Sequence, residues 1–204
     1  MNPPSRMLMR LNMETRANHG AVDGVWLDLL SPRVTVTQYV GLLARAYGFE
    51  APLEGALAYT RQLGALINLR ERARAGMLAQ DLLALGLSPA QLTDLPQCAE
   101  IEPFKSPLEA LGWMYVAERS TLLFAQLHRA LREHLPEVSG ACTYLGCYDG
   151  LASARWLALG RLLDQVAERE EQIEEVLAGA HAGFDCQRRW MRADLSSSQR
   201  RRAG

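Results

Sequence analysis

The segment opened by Ser106-Pro107-Leu108-Glu109 constrains this chain more than any other. Serine accepts hydrogen bonds from the first free backbone N–H groups of a helix, proline is tolerated at the first helical position, and glutamate at the third completes a start signal. Leu111, Met114, Tyr115, Leu122 and Leu127 then recur along the segment, so a helix from about Pro107 to Glu133 is expected to pass through the centre of the molecule with these residues in the core.

The same periodicity dominates elsewhere, and no alternating strand pattern competes with it. A first helix is expected from about Arg6 to Leu29, with Met9, Met13, Ala17, Val22 and Trp26 near one face, ended by Ser31-Pro32. Thr35 or Thr37 can cap a second helix that buries Tyr39, Leu42, Leu43, Ala46 and Tyr47; Gly48 and Pro52 mark a bend, and Leu53 to Leu63 continues helically. A further helix runs from about Ile67 or Leu69 to Leu85, stopped by Gly86. Residues 93–103 and 136–150 read as irregular connections, and helices at about 151–168 and 170–190 close the chain. The expected fold is an all-α, multihelical bundle in one domain spanning residues 1–195, with 196–204 as a disordered basic tail carrying Arg200, Arg201 and Arg202.

Composition limits the function classes. Twenty-two basic residues oppose 23 acidic ones for a net charge of −1, which gives no whole-chain attraction for nucleic acid or an anionic membrane. No run approaches the ~20 apolar residues of a membrane span, and no signal-peptide core separates Arg6 and Arg10 from the polar stretch 12–19, so a cytoplasmic location is expected. Cys98, Cys142, Cys147 and Cys186 form no CxxC pair and read as small buried residues or inert thiols. No carboxylate cluster, glycine-rich phosphate loop or nucleophile elbow is present.

Trp113-Met114-Tyr115-Val116-Ala117-Glu118-Arg119-Ser120-Thr121-Leu122-Leu123-Phe124 resembles the distal helix of bacterial biliverdin-producing heme oxygenases, whose expected pattern is Tyr-Val-x-Glu-Gly-Ser-Thr-Leu-Gly-Gly. Glu14-Thr15-Arg16-Ala17-Asn18-His19-Gly20-Ala21-Val22-Asp23 resembles the proximal helix of that family, and further similarities in order and spacing extend from about Leu11 to Met191. The resemblance implies a heme oxygenase-like bundle and heme as both substrate and cofactor, cleaved in active members to biliverdin, carbon monoxide and iron. It also implies an external electron donor and, in some members, a phytochrome-pathway partner. His19 would be the iron ligand, Arg16 a propionate partner, and Ser120 and Thr121 remnants of a distal polar network. On the residues alone, His19 and Asp23 stack one turn apart, so Asp23 could fix the imidazole tautomer.

Three glycines of the pattern are replaced here by Arg119, Leu123 and Phe124, which therefore belong to the same site. Glycine lets helix backbone lie against a flat ligand, and a side chain takes that volume. Either Leu123 and Phe124 fill the heme space with protein, or the distal helix has moved outward. Arg119, if buried, needs a carboxylate from another helix; a small change of register would instead expose it, and exposure is the expectation. The functional alternatives are a heme-cleaving enzyme and a catalytically impaired or non-catalytic relative acting by ligand or protein binding.

Overall fold

The computed structural model describes residues 4–193 and contains only helices and connecting turns among them. The tail at 196–204 and the ends of the expected 1–195 domain lie outside the described residues. The α-helices are α1 (Arg6–Glu14), α2 (Arg16–Leu27), α3 (Val36–Tyr59), α4 (Leu63–Leu66), α5 (Ala75–Ala84), α6 (Pro89–Thr93), α7 (Pro107–Ser120), α8 (Phe124–His134), α9 (Ala152–Val166) and α10 (Glu170–Arg192).

The expected first helix is two. Thr15 turns its hydroxyl back onto the Leu11 carbonyl at 2.7 Å, a bond that bends helices, and its backbone leaves helical geometry at φ −96°, ψ 2°. The phase changes at this break: α1 buries Met7, Leu8 and Leu11, α2 buries Val22 and Trp26, and the expected inward residues Met9, Met13 and Ala17 are exposed.

Thr35 caps α3 in a reciprocal arrangement with Gln38, and α3 then continues through Gly48 and Pro52 to Tyr59 rather than ending near them. Proline cannot donate to the carbonyl four residues earlier, and here the Cys98 N–H supplies the missing donor to Gly48 O at 2.8 Å. A side chain at Gly48 would collide with the Pro96 carbonyl and the Trp190 ring, so glycine admits the loop that completes this repair. The loop also brings Cys98 Sγ to 3.5 Å from Cys186 Sγ on α10, with both thiols buried.

α7 and α10 make the most extensive helix contact in the molecule. Their backbones meet at Gly112 and Gly179, where any Cβ would strike main-chain atoms of the other helix. Ser106 caps α7 as expected, and Leu111, Met114 and Tyr115 are buried, as is Leu127 on α8. The long central helix is nevertheless interrupted by a 3-10 turn at Thr121–Leu123, which turns Leu122 out to solvent at 45% exposure instead of into the core.

The helix expected from Ile67 or Leu69 begins only at Ala75; the preceding residues form α4 and a 3-10 turn at Arg70–Arg72. Gly86, at φ +98°, ends α5 as its sequence position requires. The irregular 136–150 connection is tied down by fully buried Asp81, whose carboxylate accepts the backbone N–H groups of Thr143 and Tyr144 at 2.9 and 2.8 Å.

Candidate functional site

His19, Asp23 and Trp26 lie four and three residues apart on α2, hence along one face, and each meets a different protein side chain. His19 Nε2 is 3.0 Å from Thr15 Oγ1, and its ring lies 5.4 Å from that of Phe184 on α10. Because the Thr15 hydroxyl hydrogen is directed to Leu11 O, Nε2–H donates to Thr15 and Nδ1 is left as the unprotonated nitrogen. Burial chiefly, with help from the neighbouring Arg119 guanidinium, holds the His19 pKa below its ordinary value, while Asp23 opposes that shift. The imidazole is therefore neutral at physiological pH.

Asp23 does not hold the second ring nitrogen. Both of its oxygens accept from Arg119, at 2.7 and 2.8 Å, in a paired fork that ties α2 to α7. The expected exposure of Arg119 is corrected: its side chain keeps only 17% of its surface and that of Asp23 14%. Glycine at this position would have left Asp23 free; arginine supplies a charge that finds it.

One turn on, Phe124 packs 6.0 Å from Trp26 and 4.8 Å from Tyr144, and is itself 2% exposed. Leu123 is half-buried against the same apolar cluster. Ser120 and Thr121 are buried, but their hydroxyls turn back to Ala117 O and Glu118 O, both at 2.7 Å. Such bonds satisfy the hydroxyls within their own helix and favour the turn that follows. Arg16 is exposed at the start of α2, within electrostatic reach of His19. Tyr115, fully buried beside Phe184, has its pKa raised chiefly by burial, with Thr15 opposing that shift. His128 sits instead at the surface beside Asp149, 3.7 Å away.

A second cluster, on the other side of α7, was not anticipated. Arg74 is 2% exposed; its Nη2 donates to both Glu50 oxygens at 2.9 Å, and its Nη1 reaches Ala117 O at 3.3 Å. Tyr144 donates to Glu50 at 3.2 Å, Tyr148 to Glu118 at 2.9 Å, and Arg72 lies 2.8 Å from Glu118. Burial opposes charge on Arg74, but Glu50 together with Tyr144, Glu118 and Tyr148 outweighs it, and the pKa is raised well above the ordinary value. Burial likewise pushes the Tyr144 and Tyr148 phenols up. Glu50, Arg72, Arg74 and Glu118 of this cluster line a cavity of about 230 Å³ between α3, residues 69–74 and α7. The sequence signal for it is Glu50 and Glu54, two carboxylates one turn apart, on a helix face otherwise carrying Leu53 and Leu57.

The architecture is an all-α bundle in which α2, bearing His19, is tied through Asp23 and Arg119 to α7, which ends in a 3-10 turn at Thr121–Leu123. A family model described as heme oxygenase matches residues 5–193, and the chain belongs to that family. Its fold is that of the NO- and CO-bound heme oxygenase from Neisseria meningitidis, with a TM-score of 0.71 and 23% identity over 91% of this chain and 90% of that one. A separate, partial similarity is to the ATP-dependent rRNA helicase rrp3 of Emericella nidulans, 32% identical over 93 residues; it takes in 45% of this chain and only 19% of the helicase. Among the described residues no helix is long and apolar enough to cross a membrane.

Proposed function

We propose that this member of the heme oxygenase family is a non-cleaving relative that acts by binding a ligand or a protein. The carrying observation is that the α2 face bearing His19 is occupied by protein at three successive points: Thr15 on the Nε2 of His19, Arg119 on Asp23, and Phe124 against Trp26. The residues as they stand do not fit heme. Iron would compete with Thr15 for the ring nitrogen, and a planar macrocycle would have to displace a paired guanidinium from between the helices. Ser120 and Thr121 have no hydroxyl hydrogen to offer across that space while they bond their own helix.

Heme cleavage, with an external electron donor and a phytochrome-pathway partner, is the alternative that the family supports. One local feature favours it: the neutral imidazole of His19 retains the protonation state a metal ligand needs.

The test is hemin titration of the full chain, followed by ascorbate or a flavoprotein reductase as electron source. The expected result is no stoichiometric Soret band of a histidine-ligated heme and no biliverdin. The triple substitution Arg119→Gly, Leu123→Gly and Phe124→Gly should gain such a band, and His19→Ala on that background should remove it. Biliverdin production by the unmodified protein would overturn the reading.

A further inference from the structure

The buried Arg72 and Arg74 pair on the α3 side of α7 is incompletely bonded. Arg74 uses both terminal nitrogens, but its Nε is buried without an acceptor. Arg72 Nη1 pairs with Glu118 Oε2 at 2.8 Å but without the alignment of a hydrogen bond, while its Nη2 reaches only the Arg155 carbonyl at 3.4 Å. Buried donors are normally satisfied, and a guanidinium has no other protonation state in which to shed the demand. What this end of the cavity lacks is acceptors.

The surroundings restrict what could supply them. Leu53, Leu57, Leu69 and Met114 line the cavity with hydrocarbon. Its volume of about 230 Å³ lies under the ~300–1,000 Å³ of sites for drug-sized ligands, so it suits a single ring or a short chain. Arg70 is exposed at its edge. The three arginines face Glu50, Glu54 and Glu118, but Glu50 and Glu118 are engaged by Arg74, Tyr144, Arg72 and Tyr148, and Glu54 accepts the backbone N–H groups of Arg74 and Ala75. Burial raises the Glu54 pKa above that of an ordinary glutamate, which lessens its repulsion of an incoming anion. The Arg74 guanidinium also lies 5.8 Å from the centre of the Tyr148 ring, which Arg155 approaches at 4.5 Å.

We propose that this cavity binds a small carboxylate with a compact apolar body, its oxygens accepting from Arg72 and Arg74 and its hydrocarbon resting on the Leu53, Leu57 and Met114 wall. The two oxygens of a carboxylate can accept one donor from each guanidinium, Arg74 Nε and Arg72 Nη1, and bring one charge into apolar walls, where a phosphate would bring more. The site is separate from the His19 face of α2, so it stands or falls independently of hemin binding.

Calorimetric titration of the full chain with benzoate and with hexanoate tests it, with benzyl alcohol as the neutral comparator. The expected result is one saturable site for at least one of the two acids, and binding of the alcohol at least about ten-fold weaker. Ala58→Trp, placed on an exposed wall residue of α3, should abolish binding by filling the cavity without touching the ion pairs. Arg72→Gln should weaken it about ten-fold or more, with circular dichroism confirming that each variant is folded. Absence of saturation with both acids would overturn the proposal. So would equal binding of benzyl alcohol, or acid binding that survives Ala58→Trp. Biliverdin formation from hemin by the same sample would end the non-cleaving reading while leaving this result to be judged by the acid titrations alone.

Discussion

The two sides of α7 carry charge in different ways. Toward α2, Arg119 and Asp23 form a self-contained pair that keeps 17% and 14% of its side-chain surface in water. Toward α3, Arg74 and Glu50 are buried to 2% and 6%, and they are joined to Tyr144 and an α7 carbonyl. A pair with an outlet to solvent costs less to break, because a charge left without its partner can still reach water. A buried pair makes every partner necessary, because removal of one leaves an uncompensated charge. The α2 side can therefore be altered by substitution at a few positions, whereas the α3 side can change only if several residues change together.

The sharpest way to break this contrast is Glu50→Ala. It strands Arg74 in the interior and should destabilise the protein by ~3–5 kcal/mol in urea unfolding. A loss of ~1–2 kcal/mol or less would mean that the two sides are energetically alike.

Phe124→Ala probes the apolar part of the α2 side. The ring is buried between Trp26 and Tyr144, so ~3 kcal/mol should be lost in the same assay. A near-zero cost would show that the space between α2 and α8 can collapse or already admits water. The same substitution, combined with Arg119→Gly, should increase hemin binding if side-chain volume is what closes the crevice.

Asp23→Asn removes the carboxylate of the α2 pair. Its effect on stability should be ~1–2 kcal/mol, below that of Glu50→Ala because Arg119 keeps some contact with water. A loss comparable with that of Glu50→Ala would erase the distinction between the two sides of α7.

Much of the fold was legible because its signals are local. The Ser106-Pro107 start, the Thr35 cap and the Gly86 stop each act within one helical turn, and the structure uses all three. Leu122 leaves the core position its spacing predicts because it lies within a 3-10 turn beside the back-bonded Ser120 and Thr121, whereas Leu127 beyond the turn is buried as its spacing predicts. Arg72 and Arg74 fall within the helix expected from Ile67 or Leu69; a turn in that stretch instead carries them inward, Arg74 toward a glutamate 24 residues away. At the α2 site, His19, Asp23 and Arg119 were all marked by the family pattern. Which of them would pair was not, because that depends on the approach of two helices whose contacts are 96 residues apart in the chain.

The smallest expected effect concerns His19. Its folded pKa lies below the ordinary value, chiefly through burial and the nearby Arg119, so the folded state binds this proton less readily than the unfolded one. Stability contributed by the neutral ring is complete above the unfolded pKa of about 6.5 and declines as pH falls through that value toward the folded pKa. His19→Gln should flatten this part of the thermal-stability profile, since glutamine keeps a polar group near Thr15 without titrating. Arg119→Gly should flatten it only partly, because burial, the larger cause, remains while the repelling charge is gone. An equal flattening by both substitutions would mean that the arginine, rather than burial, sets the protonation of His19, and would make the α2 side a more strongly coupled charge site than its partial hydration implies.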